Sequence, residues 1–257
     1  MKKIIIAVLC IISMSAHAQI VDSIKKDLLT APDTVKHLHS KFLSLVPPAA
    51  LITYGGISFA IPALRRLDYS INNEILKTDP GFSSAKTENY FQFAPVILVY
   101  GLNFVGVSGK NTFLDRTILL GISGGFVSIM TSTLKHTTNR LRPNSADYLS
   151  FPSGHTSTAF AGAEFMAQEY SEKSPWYGVV GYTIATTTGI FRLYNHDHWF
   201  SDVVAGAGFG IISTKLAYLV YPYLRNALTR TDKKGKSSML VPTYQDGMAG
   251  FTFAMQL

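Results

Sequence analysis

Three short segments of this chain place cations, a glycine turn and two histidines at the ends of apolar stretches, where charge is costly unless it serves something. The first is Lys135-His136-Thr137-Thr138-Asn139-Arg140-Leu141-Arg142-Pro143, in which six residues separate Lys135 from Arg142 and the proline ends the local structure. A flexible ammonium and a rigid guanidinium fork converging on one point can cradle a tetrahedral dianion, the one as a point charge and the other in bidentate fashion. Taken alone, the segment also reads as the positive flank of a helix.

The second segment, Phe151-Pro152-Ser153-Gly154-His155-Thr156-Ser157, opens a helix. Proline and glycine make a tight turn, and glycine lets the backbone approach a ligand closely. A phosphate there meets free helix N-terminal amides, the Ser153 hydroxyl and the positive end of the dipole. His155 stands at the rim, placed to give a proton to a leaving oxygen. The plainer reading is an N-cap followed by a histidine at the helix end.

The third segment runs from Phe191 to Asp202 and contains Arg192, His196, Asp197 and His198. His198 and Asp202 are four apart, so on a helix they share a face, and the carboxylate can hold one imidazole nitrogen in a fixed tautomer. The other nitrogen is then free as a nucleophile or a ligand, and Arg192 adds a third cation. A metal site built from His196, His198, Asp197 and Asp202 is the rival. The surrounding cations favour an anion over a divalent metal, so no metal and no cofactor are expected. His136 and His196 read as bystanders lining the site, and His37 and His39 as surface residues.

These segments need rigid elements to bring them together. Of the 257 residues, 47% are hydrophobic and only 15% charged, which excludes a disordered tail or a small disulfide scaffold. Apolar stretches run near 48–62, 91–107, 117–134, 156–169, 177–191 and 203–222, rich in Gly, Ala, Ser and Thr, with Asp79-Pro80-Gly81 and Ser174-Pro175 as turn signals. Their length and small residues predict packed helices. The fold class is therefore all-α, a bundle of five to six apolar helices, embedded in a membrane. The stretch 156–169 contains Glu164 and Gln168, which keeps a soluble helical core in view. Glu164 and Lys215 read as helix-packing groups. No Pro/Gly/Ser linker divides the middle of the chain, so one helical domain is expected over 46–224.

Lys2 and Lys3, an apolar run from Ile4 to about Met14 and then Ala16-His17-Ala18 have the layout of a cleavable export signal over 1–18. The single cysteine, Cys10, lies inside it, which leaves the rest without disulfides. Residues 19–45 suit an amphipathic surface helix. The net charge of +7 is concentrated at the leader and in the basic tail 225–257, at Arg225, Arg230, Lys233, Lys234 and Lys236. That is the pattern of a cytoplasmic flank, so membrane phosphates are more natural partners than nucleic acid, and no protein partner is inferred. The stretch 48–62 allows about 20 Å of helix, short of a hydrocarbon core of about 30 Å. With five crossings after it, Lys135, His155 and His198 fall together on the outer face. Leu240–Leu257 alternates loosely and suits a short strand.

In order and spacing, Lys135 to Arg142-Pro143, Pro152-Ser153-Gly154-His155, and Arg192 to His198 to Asp202 resemble the three-part signature of the type 2 phosphatidic acid phosphatase and vanadium haloperoxidase superfamily, over about residues 90–222. Phe191 stands where that family usually has a small residue, often serine. The resemblance implies a metal-free phosphatase with a covalent phosphohistidine. It casts His198 as nucleophile, Asp202 as its orienting partner and His155 as general acid. It makes Lys135, Arg142, Arg192, Ser153 and the Gly154 amide the phosphate cradle. The expected substrate is a phosphomonoester or pyrophosphate of a membrane lipid: phosphatidate, phosphatidylglycerophosphate, isoprenyl pyrophosphate or a lipid A phosphate. The expected location is the inner membrane of a bacterial-type envelope, with the site facing the periplasm. A soluble periplasmic acid phosphatase, a vanadate-dependent haloperoxidase and a non-catalytic lipid-phosphate binder are the alternatives.

Overall fold

The computed structural model describes residues 42–78, 87–231, 237–245 and 248–255. The expectations for the leader 1–18, for nearly all of the 19–45 helix with His37 and His39, for the Asp79-Pro80-Gly81 turn and for Lys233, Lys234 and Lys236 lie outside the described residues.

After a 3-10 turn, Phe42–Leu45, come α1 (Val46–Ile57), α2 (Pro62–Thr78), α3 (Glu88–Phe91), α4 (Ala94–Phe104), α5 (Phe113–Thr138), α6 (Gly154–Glu169), α7 (Trp176–Tyr194) and α8 (Phe200–Leu228). The chain is thus the expected helical bundle, with more helices than the apolar stretches alone suggest. β1 (Thr229–Thr231), β2 (Ser237–Gln245) and β3 (Met248–Met255) follow as an antiparallel meander in the order β1-β2-β3. It carries the strand tendency of the tail, with Val241 paired to Thr252 in register.

Among the described residues, two helices are long and apolar enough to cross a membrane, Phe113–Thr138 and Phe200–Arg225, each of 26 residues. At 1.5 Å per residue each reaches about 39 Å, more than a hydrocarbon core requires. α1 does not run to Pro62. It starts with prolines in its first turn, where a missing N–H costs nothing, and breaks at Ile57, so that α2 leaves at 91°. The bent pair could supply a third span by length and composition. α4 has 11 residues and α6 has 16, fewer than the expected count of five crossings needs of each.

Cα packing divides the chain into two compact units. One comprises Ser40–Lys110 and Leu119–Tyr218 and holds every residue of the three segments. α6 is its central helix: Ala159, Ala163 and Phe165 have no exposed surface. Glycines let neighbours approach its backbone. A Cβ on Gly210 of α8 would sit 2.3 Å from the Ser157 carbonyl oxygen, and one on Gly181 of α7 would sit 3.2 Å from Ala163 Cα. Buried Glu164 is held by Lys215 at 2.8 Å, by Gln168 at 2.6 Å and by the Tyr182 hydroxyl, the packing role expected of Glu164 and Lys215. Tyr218 donates to Glu169 at 2.6 Å. In the other unit, which includes Asn111–Ile118 and Leu219–Leu257, Asp115 accepts from Arg225 Nε at 2.7 Å and from Tyr221. Pairing Arg225 in this way lets α8 continue through it to Leu228.

Candidate active site

The site is assembled from alternating helix ends. Lys135 lies in the last turn of α5, His155 in the first turn of α6, Arg192 in the last turn of α7, and Asp202 in the first turn of α8. Successive antiparallel helices bring exactly these four termini to one end of the bundle. Ser153 is the N-cap of α6: its hydroxyl accepts from the Thr156 amide at 3.4 Å and lies 2.9 Å from the Thr156 hydroxyl. The Ser153 amide donates to the Asp202 carbonyl at 3.1 Å, which ties the start of α6 to the start of α8. The Ser153 hydroxyl is therefore engaged in its own helix. The Gly154 backbone is open: a Cβ there would meet nothing nearer than Lys135 Cε at 3.9 Å.

His198 is not on a helix. It precedes Phe200, the first residue of α8, and the four-residue spacing leaves its Nδ1 3.8 Å from Asp202 Oδ2, beyond hydrogen-bond reach. The shared helical face expected for the pair is thus replaced by a loop-to-helix approach. The reason is local: Asp202 Oδ2 reaches back to accept from the Trp199 amide at 3.0 Å, as a third helical residue does in a capping box, and from Ser150 Oγ at 2.5 Å. His198 Nδ1 and Arg192 Nε are buried without a hydrogen-bond partner.

The expected cations come with carboxylates. Arg192 Nη1 is 2.9 Å from both Glu88 and Asp197, and Arg142 Nε donates to Asp147 at 2.7 Å. Lys135 Nζ donates to the Leu149 carbonyl. Arg140, which sequence reading passed over, sits between Asp202 and Asp68 at 2.6 Å from each. The arginines of the positive cluster expected from the sequence are therefore ion-paired, and Lys135 is held by a carbonyl, which fixes the cations in place before any ligand arrives. His155 Nε2 donates to Asn89 Oδ1 at 2.7 Å, and His196 Nδ1 donates to Asn72 Oδ1 at 2.7 Å. Glu88, Asn89, Asn72 and Asp68 come from α2 and α3, far away in sequence.

Both key imidazoles are poor bases. Burial holds His198 down to about 4, with Asp202 opposing and Lys135 and Arg192 adding to the fall. Burial also brings His155 down to about 4, helped by Arg192, Arg142 and Lys135 and opposed by Glu88. Burial would raise the Asp147 carboxyl, but its bonds to Arg142 and the Leu149 amide outweigh that and lower it. At neutral pH His198 thus presents an unprotonated ring with one nitrogen toward a carboxylate. The other, Nε2, carries a lone pair when the proton rests on Nδ1. Together with a buried guanidinium donor left without an acceptor, this arrangement suits nucleophilic transfer of an anionic group.

Residues 116–226 match the family described as PAP2 superfamily. A lipid A 1-phosphatase of Porphyromonas gingivalis is 34% identical over 167 residues, which are 63% of this chain and 38% of that protein. A probable lipid phosphate phosphatase 4 of Arabidopsis thaliana is 32% identical over 125 residues, 40% of this chain and 41% of that protein. The chain thus spans about two fifths of the length of these curated relatives. Among solved structures, the transmembrane PAP2 type phosphatidylglycerolphosphate phosphatase from Bacillus subtilis superposes with a TM-score of 0.51 at 21% identity. It covers 66% of this chain and 94% of that one, a likeness of fold.

Proposed function

We propose, from the match of residues 116–226 to the PAP2 superfamily, that this chain belongs to that family and is a membrane-embedded phosphatase that hydrolyses a phosphomonoester or pyrophosphate of a lipid through a phosphohistidine on His198. The observation that carries the reading is the buried Arg192 Nε, a guanidinium donor without an acceptor, at the site where His198 and His155 both feel the positive charge of Lys135 and Arg192. A phosphate oxygen there would take that donor, while Lys135, Arg142 and the Gly154 amide would hold the other oxygens. His198 Nε2 attacks phosphorus, the P–O bond to the lipid breaks, and the leaving oxygen takes a proton from His155. Asp202 stabilises the positive charge that develops on the ring. Water then attacks the P–N bond, gives a proton to His155, and releases inorganic phosphate with His198 restored. Preorganised cations lower the barrier by meeting charge where it accumulates.

A lipid A phosphate is the first candidate among the expected substrates, because the P. gingivalis relative bears that name. Arg225 at the far end of α8, followed in sequence by Arg230, Lys233, Lys234 and Lys236, supports a cytoplasmic place for that end. The site at the other end of α8 then faces the periplasm across the inner membrane, in agreement with an export signal at 1–18. The test is a phosphate-release panel of lipid and soluble esters in detergent, together with carbonate extraction of membranes. Lipid phosphates should be turned over, His198→Ala should abolish release, and the protein should stay in the carbonate-washed membrane. Turnover of soluble esters alone by protein that extracts into buffer would replace this reading with a soluble acid phosphatase.

A further inference from the structure

The second carboxylate oxygen of Asp202 joins a charge chain that is buried at Asp202 and Asp68 and half-buried at Arg140. Arg140 Nη1 donates to Asp202 Oδ1 at 2.6 Å and to Ser201 Oγ at 2.8 Å, and its Nη2 donates to Asp68 Oδ2 at 2.6 Å. Asp68, on α2, is 1% exposed and also accepts from the Ser201 amide at 2.8 Å and from the Ser201 hydroxyl at 2.7 Å. The Arg140 guanidinium stands 5.0 Å from the Phe59 ring centre and 5.8 Å from that of Trp199, so two aromatic rings flank it.

An arginine bound to Asp202 alone would neutralise the carboxylate that His198 needs. Asp68 changes that balance, because one guanidinium shared by two carboxylates leaves a net negative charge to face the imidazole. Oδ1 of Asp202 is held by Arg140, while Oδ2, held by Ser150 and the Trp199 amide, is the atom nearest His198. We propose that Asp68 and Arg140 are positioning residues for the reaction, acting through Asp202: Arg140 fixes the carboxylate and Asp68 returns to it the negative charge that supports a cationic His198. The proposal rests on the phosphatase reading above. The groups facing His198 are Asp202, Lys135 and Arg192, with Arg140 and Asp68 behind the first.

Asp68→Asn preserves the shape and the acceptor to Ser201 while removing the charge. It should lower kcat about tenfold to a hundredfold, the range typical of groups that orient a working histidine, with KM little changed. The acid limb of kcat/KM should move down by about half a unit or more, because a less negative Asp202 supports imidazolium less well. In an Asp202→Asn background the same substitution should cost almost nothing more, since the charge it supports is gone. Nitrogen-15 NMR of labelled histidines, titrating His198 in wild type and in Asp68→Asn, reads the same effect without turnover. It therefore stands even if no lipid phosphate proves to be a substrate. Arg140→Lys serves if Asp68→Asn does not fold: it keeps one charge but cannot bridge, and should also lower kcat at unchanged KM. An unmoved acid limb and unmoved His198 titration in the folded variants, or a full further loss in the Asp202→Asn background, would reduce Asp68 to a structural cap on α8 and overturn the proposal.

Discussion

At the level of single residues, the proposed mechanism asks two histidines of similar acidity to do different work. His198 attacks only as the neutral ring, so the acid limb of kcat/KM should lie near pH 4, where the free enzyme gains the proton. His155 must carry a proton when the lipid oxygen leaves, and at about 4 it is neutral in the empty site. Arg192, Arg142 and Lys135 contribute to that depression, and a bound phosphate dianion would offset them. The kcat profile, which reports the complex, should therefore keep its protonated His155 to higher pH than the free-enzyme value suggests. His155→Ala should lose about 10²–10⁴-fold in kcat with a lipid leaving group, and much less with an activated phenyl ester that needs no proton. Coincident kcat and kcat/KM profiles, or equal losses on both leaving groups, would remove His155 from the acid role. Lys135, Arg142, His155, Arg192, His198 and Asp202 were legible because each motif is local in sequence. Glu88, Asn89 and Asp68 were not, because their partners lie 66 to 133 residues away and no spacing announces them. The one available signal was Arg140, a further cation inside the first segment with no role in the cradle.

At the level of elements, the helices that read clearly were those with long apolar runs, α5 to α8, and their observed ends lie within six residues of expectation. α2 was missed because it is polar, although Leu64, Leu67, Ile71 and Ile75 stand at helical spacing on it. That omission hid Asp68, since a catalytic support can sit on an amphipathic helix as well as on an apolar one. Small residues on α8 then set how closely it meets α6. A Cβ at Gly210 would lie 2.3 Å from the Ser157 oxygen and 2.8 Å from the Ala161 amide, both backbone atoms that can yield only if the helices part. Gly210→Ala should destabilise the protein by about 1–3 kcal/mol or more and reduce phosphate release, because Ser157 lies two residues after His155. Gly124→Ala on α5, where nothing lies within 4 Å, should be neutral or stabilising by up to about 1 kcal/mol. Thermal unfolding in detergent compares the two, and equal melting temperatures would mean that α6 and α8 do not need that close approach.

Across the whole molecule, two helices able to span a membrane carry polar side chains in their interior stretches, and the unit built on α6 pairs them internally. Ser123 and Thr214 share a hydrogen bond at 2.6 Å, and Lys215 meets Glu164 at 2.8 Å. A lysine in the middle of an apolar helix reads from sequence as either a functional group or a packing one, and only its partner decides. Here the partner is a carboxylate that also holds Gln168 and Tyr182, so the cluster is closed on itself. Removing one member leaves a buried charge uncompensated, whereas removing both leaves a neutral layer. Lys215→Met should therefore cost about 3–5 kcal/mol, and Lys215→Met with Glu164→Gln should recover most of it. Unfolding by denaturant in detergent micelles measures both, with phosphate release followed in parallel. Recovery of stability and turnover together in the double variant would assign the pair to holding the bundle. A double variant that is as unstable as Lys215→Met alone would mean that the lysine does more than neutralise Glu164.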